Sequence, residues 1–234
     1  MVGVLSAIAM IPSAPVMVPE LAGAAAAEVP DLREAVLAAA ASLPSRWVAV
    51  GVGTTDAVVG PQQVGTFAGY GVDVRVRLSP SDGPARDMPA DMPLCALITG
   101  WVRGQAKPQA HAEVRVYAHD QDADAALGRG RRLRAELEQA REPVGVLIVA
   151  DGLHTLTPPA PGGYDPDSIP VQHALDEALA GGDVAALSGL SPTIVGRVAY
   201  QVLAGLTEPA PRSAKEFYRG APYGVGYFAG VWQP

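Results

Sequence analysis

The chain of 234 residues is 49% hydrophobic and carries a formal net charge of −7 at pH 7. This length supports one full core or at most two small domains, and the acidic balance argues against a nucleic-acid or anionic-membrane partner. The single cysteine, Cys95, excludes an intramolecular disulfide and a cysteine-rich zinc site.

The apolar N-terminus lacks the pattern of a secretory signal peptide, because the first basic residue is Arg33 and prolines interrupt the run early. No stretch approaches the ~18 uninterrupted apolar residues of a membrane span. We therefore expect a soluble, cytoplasmic protein.

Six segments have the composition of strands. Continuous apolar runs predict buried strands at 3–10, 46–52, 93–100 and 144–150. Alternating polar and apolar residues predict half-exposed or edge strands at 72–78 and 112–118.

Helical patterns lie between these runs, at 31–43, 122–140, 171–182 and 191–206. Asp31 and Glu34 have capping-box spacing at the start of the first helix, and the third ends on glycine, as a C-cap does. In the last predicted helix, 191–206, Ser191 stands at the N-cap and Pro192 at the first helical position. The closing segment 216–232 predicts a hairpin.

Strands that alternate with helices predict an α/β fold, a layered sandwich whose central, mostly parallel or mixed sheet is flanked by helices. The proline-rich pieces at 157–170 and 207–213 are interpreted as loops, because no change in composition flanks them. We therefore predict a single domain that spans residues 1–234.

The segment GVGTTDAVVG, 51–60, follows a predicted strand and could form a phosphate-binding loop. It fits neither GxGxxG, because Asp56 stands at the third glycine position, nor the Walker pattern, which needs GK[ST]. A tight turn at the end of a strand is the simpler interpretation.

Two other loops carry candidate chemistry. The stretch IPSAPVMVPELAG, 11–23, follows the first strand and holds Ser13 between prolines. The stretch VADGLHTLTPPAPGGYDP, 149–166, places Asp151 and His154 just beyond a buried strand. A histidine near carboxylates at the end of a strand suits proton transfer, and a histidine hydrogen-bonded within its loop is the alternative.

These loops resemble those of the class III extradiol ring-cleavage dioxygenases, the LigB-type superfamily, and look closest to the small branch related to Memo and the AmmeMemoRadiSam-associated proteins. The opening loop matches the frame PHPPxxxPExGG of that family, and ADGLHTLTPPAPGGYDP matches its GDLSHRLTPDAPxGYDP over a long span. Residues 112–137 and the closing GAPYGVGYFAG also resemble family segments. The resemblance implies a LigB-like fold.

Active members of that family bind one Fe(II) through two histidines and a carboxylate, and this chain departs from the pattern at each position. Ser13 stands where the resemblance places the first histidine, and Gly53 or Thr54 where it places the second. No histidine precedes His111, and residues 184–207, which should supply the carboxylate, contain no Asp or Glu. We therefore expect a metal-free site without a cofactor.

The resemblance keeps two residues of the site. His154 matches the family's second-sphere histidine, a general acid/base toward substrate, and Asp151 matches the acid of its GDLSH segment. The predicted cleft also contains Ser13, Gly53, Thr54, Tyr164 and Asp165.

Three functions are compatible with these residues. The first is a non-catalytic protein whose degenerate site binds a small ligand or a partner. The second is a metal-independent hydrolase that uses Ser13, His154 and Asp151, which requires Ser13 Oγ within about 3.2 Å of a His154 ring nitrogen. The third is a dioxygenase with atypical metal ligation, through His154 with His111, His119 or residues of a partner. The resemblance also implies a homodimer or pairing with another subunit.

Overall fold

A seven-stranded sheet forms the middle layer of the computed structural model, which describes residues 5–80 and 90–234. The strands are β1 (Leu5–Ile11), β2 (Arg46–Gly53), β3 (Ala57–Val59), β4 (Val64–Thr66), β5 (Arg75–Arg77), β6 (His111–Ala118), β7 (Val144–Val149), β8 (Ser213–Gly220) and β9 (Tyr227–Gln233). The helices are α1 (Pro19–Ala22), α2 (Pro30–Ala41), α3 (Leu94–Ala106), α4 (Ala123–Glu138), α5 (Ser168–Gly181), α6 (Val184–Ser188) and α7 (Arg197–Thr207).

The strand order across the main sheet is β3-β6-β2-β7-β1-β9-β8. The four neighbours β6, β2, β7 and β1 are parallel, and β3, β9 and β8 pair in the antiparallel sense. The central strands have continuous apolar sequences because helices cover both faces of the sheet. The predicted α/β layered sandwich with a mixed sheet is confirmed.

Alternating side chains along each strand divide the core into two layers. On one face, Ala7, Ala9 and Ile11 of β1 belong to a buried cluster that contains residues of α2 and α3. On the other face, Ile8 and Met10 belong to a cluster with residues of α4, α5, α6 and α7. The sheet is thus a partition between two apolar layers.

The connections leave the carboxyl ends of the parallel strands toward opposite faces. The chain runs from β1 through α2 to β2, and from β2 through α3 to β6, on the first face. It returns from β6 through α4 to β7 on the second face. Since β7 lies between β1 and β2, its loop diverges from both neighbouring loops, and ligands of open α/β sheets bind at such a divergence.

The prediction of a buried strand at 93–100 is wrong, because these residues begin α3. The helix is buried continuously from Cys95 to Arg103, and periodicity does not distinguish such a helix from a buried strand. Thr99 Oγ1 donates to the carbonyl oxygen of Cys95 at 2.7 Å, a bond that a helical backbone offers. Neither α3 nor another helix within the described ranges is long and apolar enough to cross a membrane.

Four other local predictions can be compared with the structure. The capping box at Asp31 does not form, because α2 begins at Pro30 and places Asp31 in its first turn without a side-chain cap. β5 is shorter than the predicted 72–78 and pairs with β4 in a separate two-stranded sheet. The predicted glycine cap is confirmed, since Gly182 ends α5 with a φ of 73°, and so is the closing hairpin of β8 and β9.

The predicted start of α7 at Ser191 is also wrong, because the helix begins at Arg197. Residues 191–196 instead form turns that are bound to the loop after β7. The amide of Val195 donates to the carbonyl of Gly152 at 3.1 Å, and the amide of Gly196 donates to the carbonyl of Asp151 at 2.8 Å. These bonds replace the first helical turn with a support for the site.

Helices α4 and α7 approach each other at two glycines. A Cβ atom at Gly130 would lie 2.2 Å from the carbonyl oxygen of Val202, and one at Gly205 would lie 2.2 Å from the carbonyl oxygen of Leu127. Both contacts are to backbone, which cannot rotate away as a side chain can. The spacing of the two helices therefore requires glycine at both positions.

We expect Gly130→Ala to lower the free energy of unfolding by about 2 kcal/mol, because overpacking at the helix crossing outweighs the better helix propensity of alanine. Gly128→Ala is the matched control. It lies in the same helix, and a Cβ there meets only the Arg132 side chain at 3.6 Å, so we expect it to stabilise the protein by up to ~1 kcal/mol. Urea denaturation of both variants measures the difference, and equal effects would show that α7 can move away without cost.

Candidate functional site

Four loops meet at one edge of the sheet, here called the carboxyl edge. The parallel strands β1, β2, β6 and β7 all end there, so the residues that follow them lie side by side. Ser13 follows β1, Thr54 follows β2, and Asp151 and His154 follow β7. Gly53 is the last residue of β2.

A hydrogen bond joins the loops after β1 and β7. The backbone N–H of Ser13 donates to Asp151 Oδ1 at 2.8 Å. Burial raises the pKa of the Asp151 carboxyl to about 7, while the hydrogen bond from Ser13 lowers it. Burial opposes ionisation because the charged form loses its hydration, and the amide returns only part of that loss.

Two buried tyrosines lie around this pair. The Tyr200 hydroxyl donates to the carbonyl oxygen of Ala150 at 2.9 Å. Burial raises the pKa of both Tyr200 and Tyr227, and the negative charge of Asp151 raises each further. Both phenols therefore stay neutral beside the carboxylate. Their signals in the sequence are weak, since Tyr200 lies within a predicted helix of mostly apolar residues and Tyr227 in the closing GVGY segment.

Gln172 of α5 fixes the loop that carries Asp151. Its Oε1 accepts a hydrogen bond from the Leu153 amide at 2.8 Å, and its Nε2 donates to Asp176 Oδ1 at 2.8 Å. A Cβ atom at Gly152 would lie 2.1 Å from the Gln172 side chain, and one at Gly226 would lie 2.2 Å from it. The amide thus occupies space that only two glycines leave open.

The same loop pairs with the segment before β9. The Gly152 amide donates to the Gly226 carbonyl, and the Gly226 amide donates to the Leu153 carbonyl, both at 2.8 Å. The Leu156 amide donates to the Gly224 carbonyl at 3.0 Å. This pairing brings the loop at 149–166 and the closing segment GAPYGVGYFAG, 220–230, together although they are far apart in sequence.

His154 is exposed and lies against its own loop. Its carbonyl accepts from the Gly162 amide at 2.9 Å, and a Cβ atom at Gly162 would lie 2.7 Å from the imidazole ring. Within the described residues the ring makes no hydrogen bond to Ser13 Oγ, and it is Ser13 N–H that contacts Asp151. The arrangement that a serine hydrolase needs is therefore not formed in this conformation.

The remaining predicted residues of that loop have separate positions. Tyr164 is half exposed, with a relative accessibility of 50%. Asp165 Oδ1 accepts from the Asp167 amide at 3.0 Å, so this carboxylate organises the turn that leads into α5. The structure thus gives Asp165 a local structural contact.

The residues at the carboxyl edge do not fit an Fe(II) site. The ends of β1 and β2 present Ser13, Gly53 and Thr54, which lack the imidazole and carboxylate donors that iron takes. Across the described ranges, no group of three or more His, Cys, Asp or Glu side chains could hold a metal ion. His111 is the first residue of β6, so it lies at the amino ends of the parallel strands, whereas His154 follows the carboxyl end of β7.

A separate cleft opens beside the end of β2. It has a volume of about 460 Å³, and its lining includes Gly53 and Thr54 but neither Ser13 nor Asp151. The structure therefore divides the predicted site into the pair Ser13 and Asp151 and a neighbouring open cleft. Both belong to the carboxyl edge.

Fold and site together define a layered α/β protein in which the loop after β7 leaves the carboxyl edge toward the opposite face from the loops after β1 and β2. No known protein family matches the chain, and no curated protein matches it. Among solved structures, the crystal structure of uncharacterized protein JW3007 from Escherichia coli K12 matches with a TM-score of 0.55, over 97% of this chain and 99% of that chain, at 10% sequence identity. Likeness at this identity shows a shared fold and assigns no activity.

We expect Asp151→Asn to remove a pH dependence of stability. With a native pKa of about 7 against an ordinary value of about 3.9, the native state retains a proton that the unfolded state has lost between these values. The free energy of unfolding therefore falls as pH rises through this window. The variant should match the wild type below pH ~4 and exceed it above pH ~7 by up to about 4 kcal/mol.

Urea denaturation at several pH values from acid to weakly alkaline tests this expectation. Asp167→Asn, an exposed carboxyl in the same loop, is the matched control and should leave the pH dependence unchanged. An Asp151→Asn profile parallel to the wild type would show that Asp151 ionises in the native state as it does in the unfolded chain.

Proposed function

We propose that this chain is a metal-free relative of the class III extradiol ring-cleavage dioxygenases and that its carboxyl edge binds a small molecule without cleaving a ring. The observation that carries the proposal is the hydrogen bond from the Ser13 amide to Asp151. It joins the two loops whose sequences resemble that family, at the position where the family's first metal ligand belongs.

The arrangement of the two motifs supports the proposal. The opening loop follows β1 and the 151–166 loop follows β7, and these strands are direct neighbours. This strand pairing brings Ser13 and Asp151 together in one site, although they are 138 positions apart in the sequence. A ligand-binding function needs only this divergence of loops, which the fold retains.

The donor set argues against iron-dependent ring cleavage. Serine, threonine and glycine at the ends of β1 and β2 replace imidazoles, and neutral hydroxyls are poor ligands of Fe(II). α7 carries no carboxylate that could complete a site. His154 alone, exposed on its loop, cannot form the three-ligand face that leaves positions open for substrate and oxygen.

A rigid site is the second support for ligand binding. The Asp151 loop is hydrogen-bonded by Ser13, by Gln172, by the Gly224–Gly226 segment and by the residues that precede α7. A site that is already ordered loses little conformational entropy when a ligand binds. Assembly as a homodimer or with another subunit is a separate proposal that follows from the family resemblance, and light scattering would measure it.

Metal analysis after anaerobic reconstitution with Fe(II), Mn(II) and Zn(II) tests the metal-free proposal. We expect the purified protein to retain less than about one tenth of an equivalent of each metal, because no adequate donor set is present. Ser13→His should behave in the same way, since the other two ligands remain absent. One bound equivalent that is released by His154→Ala would overturn the proposal and restore the oxygen chemistry of the family.

A further inference from the structure

We propose that the cleft beside the end of β2 binds a small organic cation, an amine joined to an apolar body. This β2 cleft is lined by residues 52–55, 57, 70, 91–94 and 116, and has a volume of about 460 Å³. The inference deepens the proposed function, on which it rests, because it names the class of ligand at the carboxyl edge.

The far wall of the β2 cleft is held against the small sheet. The Ala90 amide donates to the Val64 carbonyl at 2.8 Å, and Ala90 forms a parallel bridge with Gly65. A Cβ atom at Gly65 would lie 2.7 Å from Met92 Sδ, so glycine there allows the Met92 side chain to pack closely. Residues 91–94 are thus positioned before a ligand arrives.

The Tyr70 ring is also positioned in advance. It packs edge-on against the fully buried ring of Phe67, with 6.0 Å between centroids and an interplanar angle of 65°. Its relative accessibility is nevertheless 47%, and Tyr70 belongs to the lining of the β2 cleft. An aromatic ring held in this way attracts a cation placed over its face.

The charge of the lining selects a cation. Asp91 is exposed and lines the β2 cleft, and among residues 5–80 and 90–234 no lysine, arginine or histidine belongs to its lining. Burial raises the pKa of Tyr70, and the negative charge of Asp91 raises it further, which fits a carboxylate and a phenol that border the same space. An ammonium group would be attracted by both Asp91 and the Tyr70 ring, whereas a carboxylate ligand would be repelled by the charge of Asp91.

The rest of the lining suits an apolar body. Met92 and Val116 are buried, with relative accessibilities of 5% and 1%, and Val52 and Leu94 are partly buried beside them. The exposed hydroxyls of Thr54 and Thr55 stand at the near side. The β2 cleft thus combines apolar side chains with several polar groups, and small-molecule sites use such polar groups to orient a ligand.

Three ligands of one shape test the charge preference: benzylamine, benzyl alcohol and benzoate. Calorimetry and amide chemical shifts should show saturable binding of benzylamine with shifts at Thr54, Tyr70 and Met92. We expect binding about tenfold weaker for benzyl alcohol and none for benzoate up to ~10 mM. Asp91→Asn and Tyr70→Ala should each weaken benzylamine binding about tenfold, while Tyr70→Phe, which keeps the ring, should retain it.

Asp120→Asn is the matched control, because Asp120 is an exposed carboxyl at the same edge that lies outside the β2 cleft. It removes the same charge from the acidic chain and should leave benzylamine affinity unchanged. Melting temperatures establish that each variant is folded. Equal affinity for the three ligands, no benzylamine binding, or an equal loss in Asp120→Asn would each overturn the inference. Metal retention is measured separately, so the failure of the proposed function is distinguishable from the failure of this ligand class.

Discussion

The contact between the Ser13 amide and the Asp151 carboxylate is the constraint on which the carboxyl edge depends. It joins the ends of two neighbouring strands whose chains then leave for opposite faces of the sheet. Burial raises the free energy of the ionised form of Asp151, so the surroundings of this carboxyl group determine its charge. Around it lie backbone amides and the neutral phenols of Tyr200 and Tyr227, so a ligand that bound there would meet these polar, uncharged groups.

Close approach of backbone segments maintains this arrangement. Gly152 and Gly226 admit the Gln172 amide, and Gly196 brings the start of α7 against the Asp151 carbonyl. The same device appears away from the site, where Gly130 and Gly205 let α4 and α7 cross. Glycines therefore set the distances between helices and loops in this fold. Large apolar residues fill the two layers on either side of the sheet.

Sequence patterns predicted most of the sheet because its central strands are continuous apolar runs that end at recognisable loops. They failed at 93–100, since an equally apolar stretch that is covered on all sides becomes α3. They also failed at Ser191, where tertiary hydrogen bonds to the site loop replace a helical turn. For the site, the motifs located Ser13 and Asp151, but the roles of Gln172 and Tyr227 depend on pairing between distant segments, which no local pattern records.

The clamp formed by Gln172 and the two facing glycines has a consequence for how this sequence can change. The Gln172 amide occupies the volume that Gly152 and Gly226 leave open, so a methyl group at either glycine would collide with it. A shorter side chain at Gln172 would leave the Leu153 N–H without its acceptor. Substitutions at these positions are therefore coupled rather than additive. The sequence of this clamp can therefore change without loss of stability only when several of its residues are replaced together. A single substitution at any one of them would give a less stable protein.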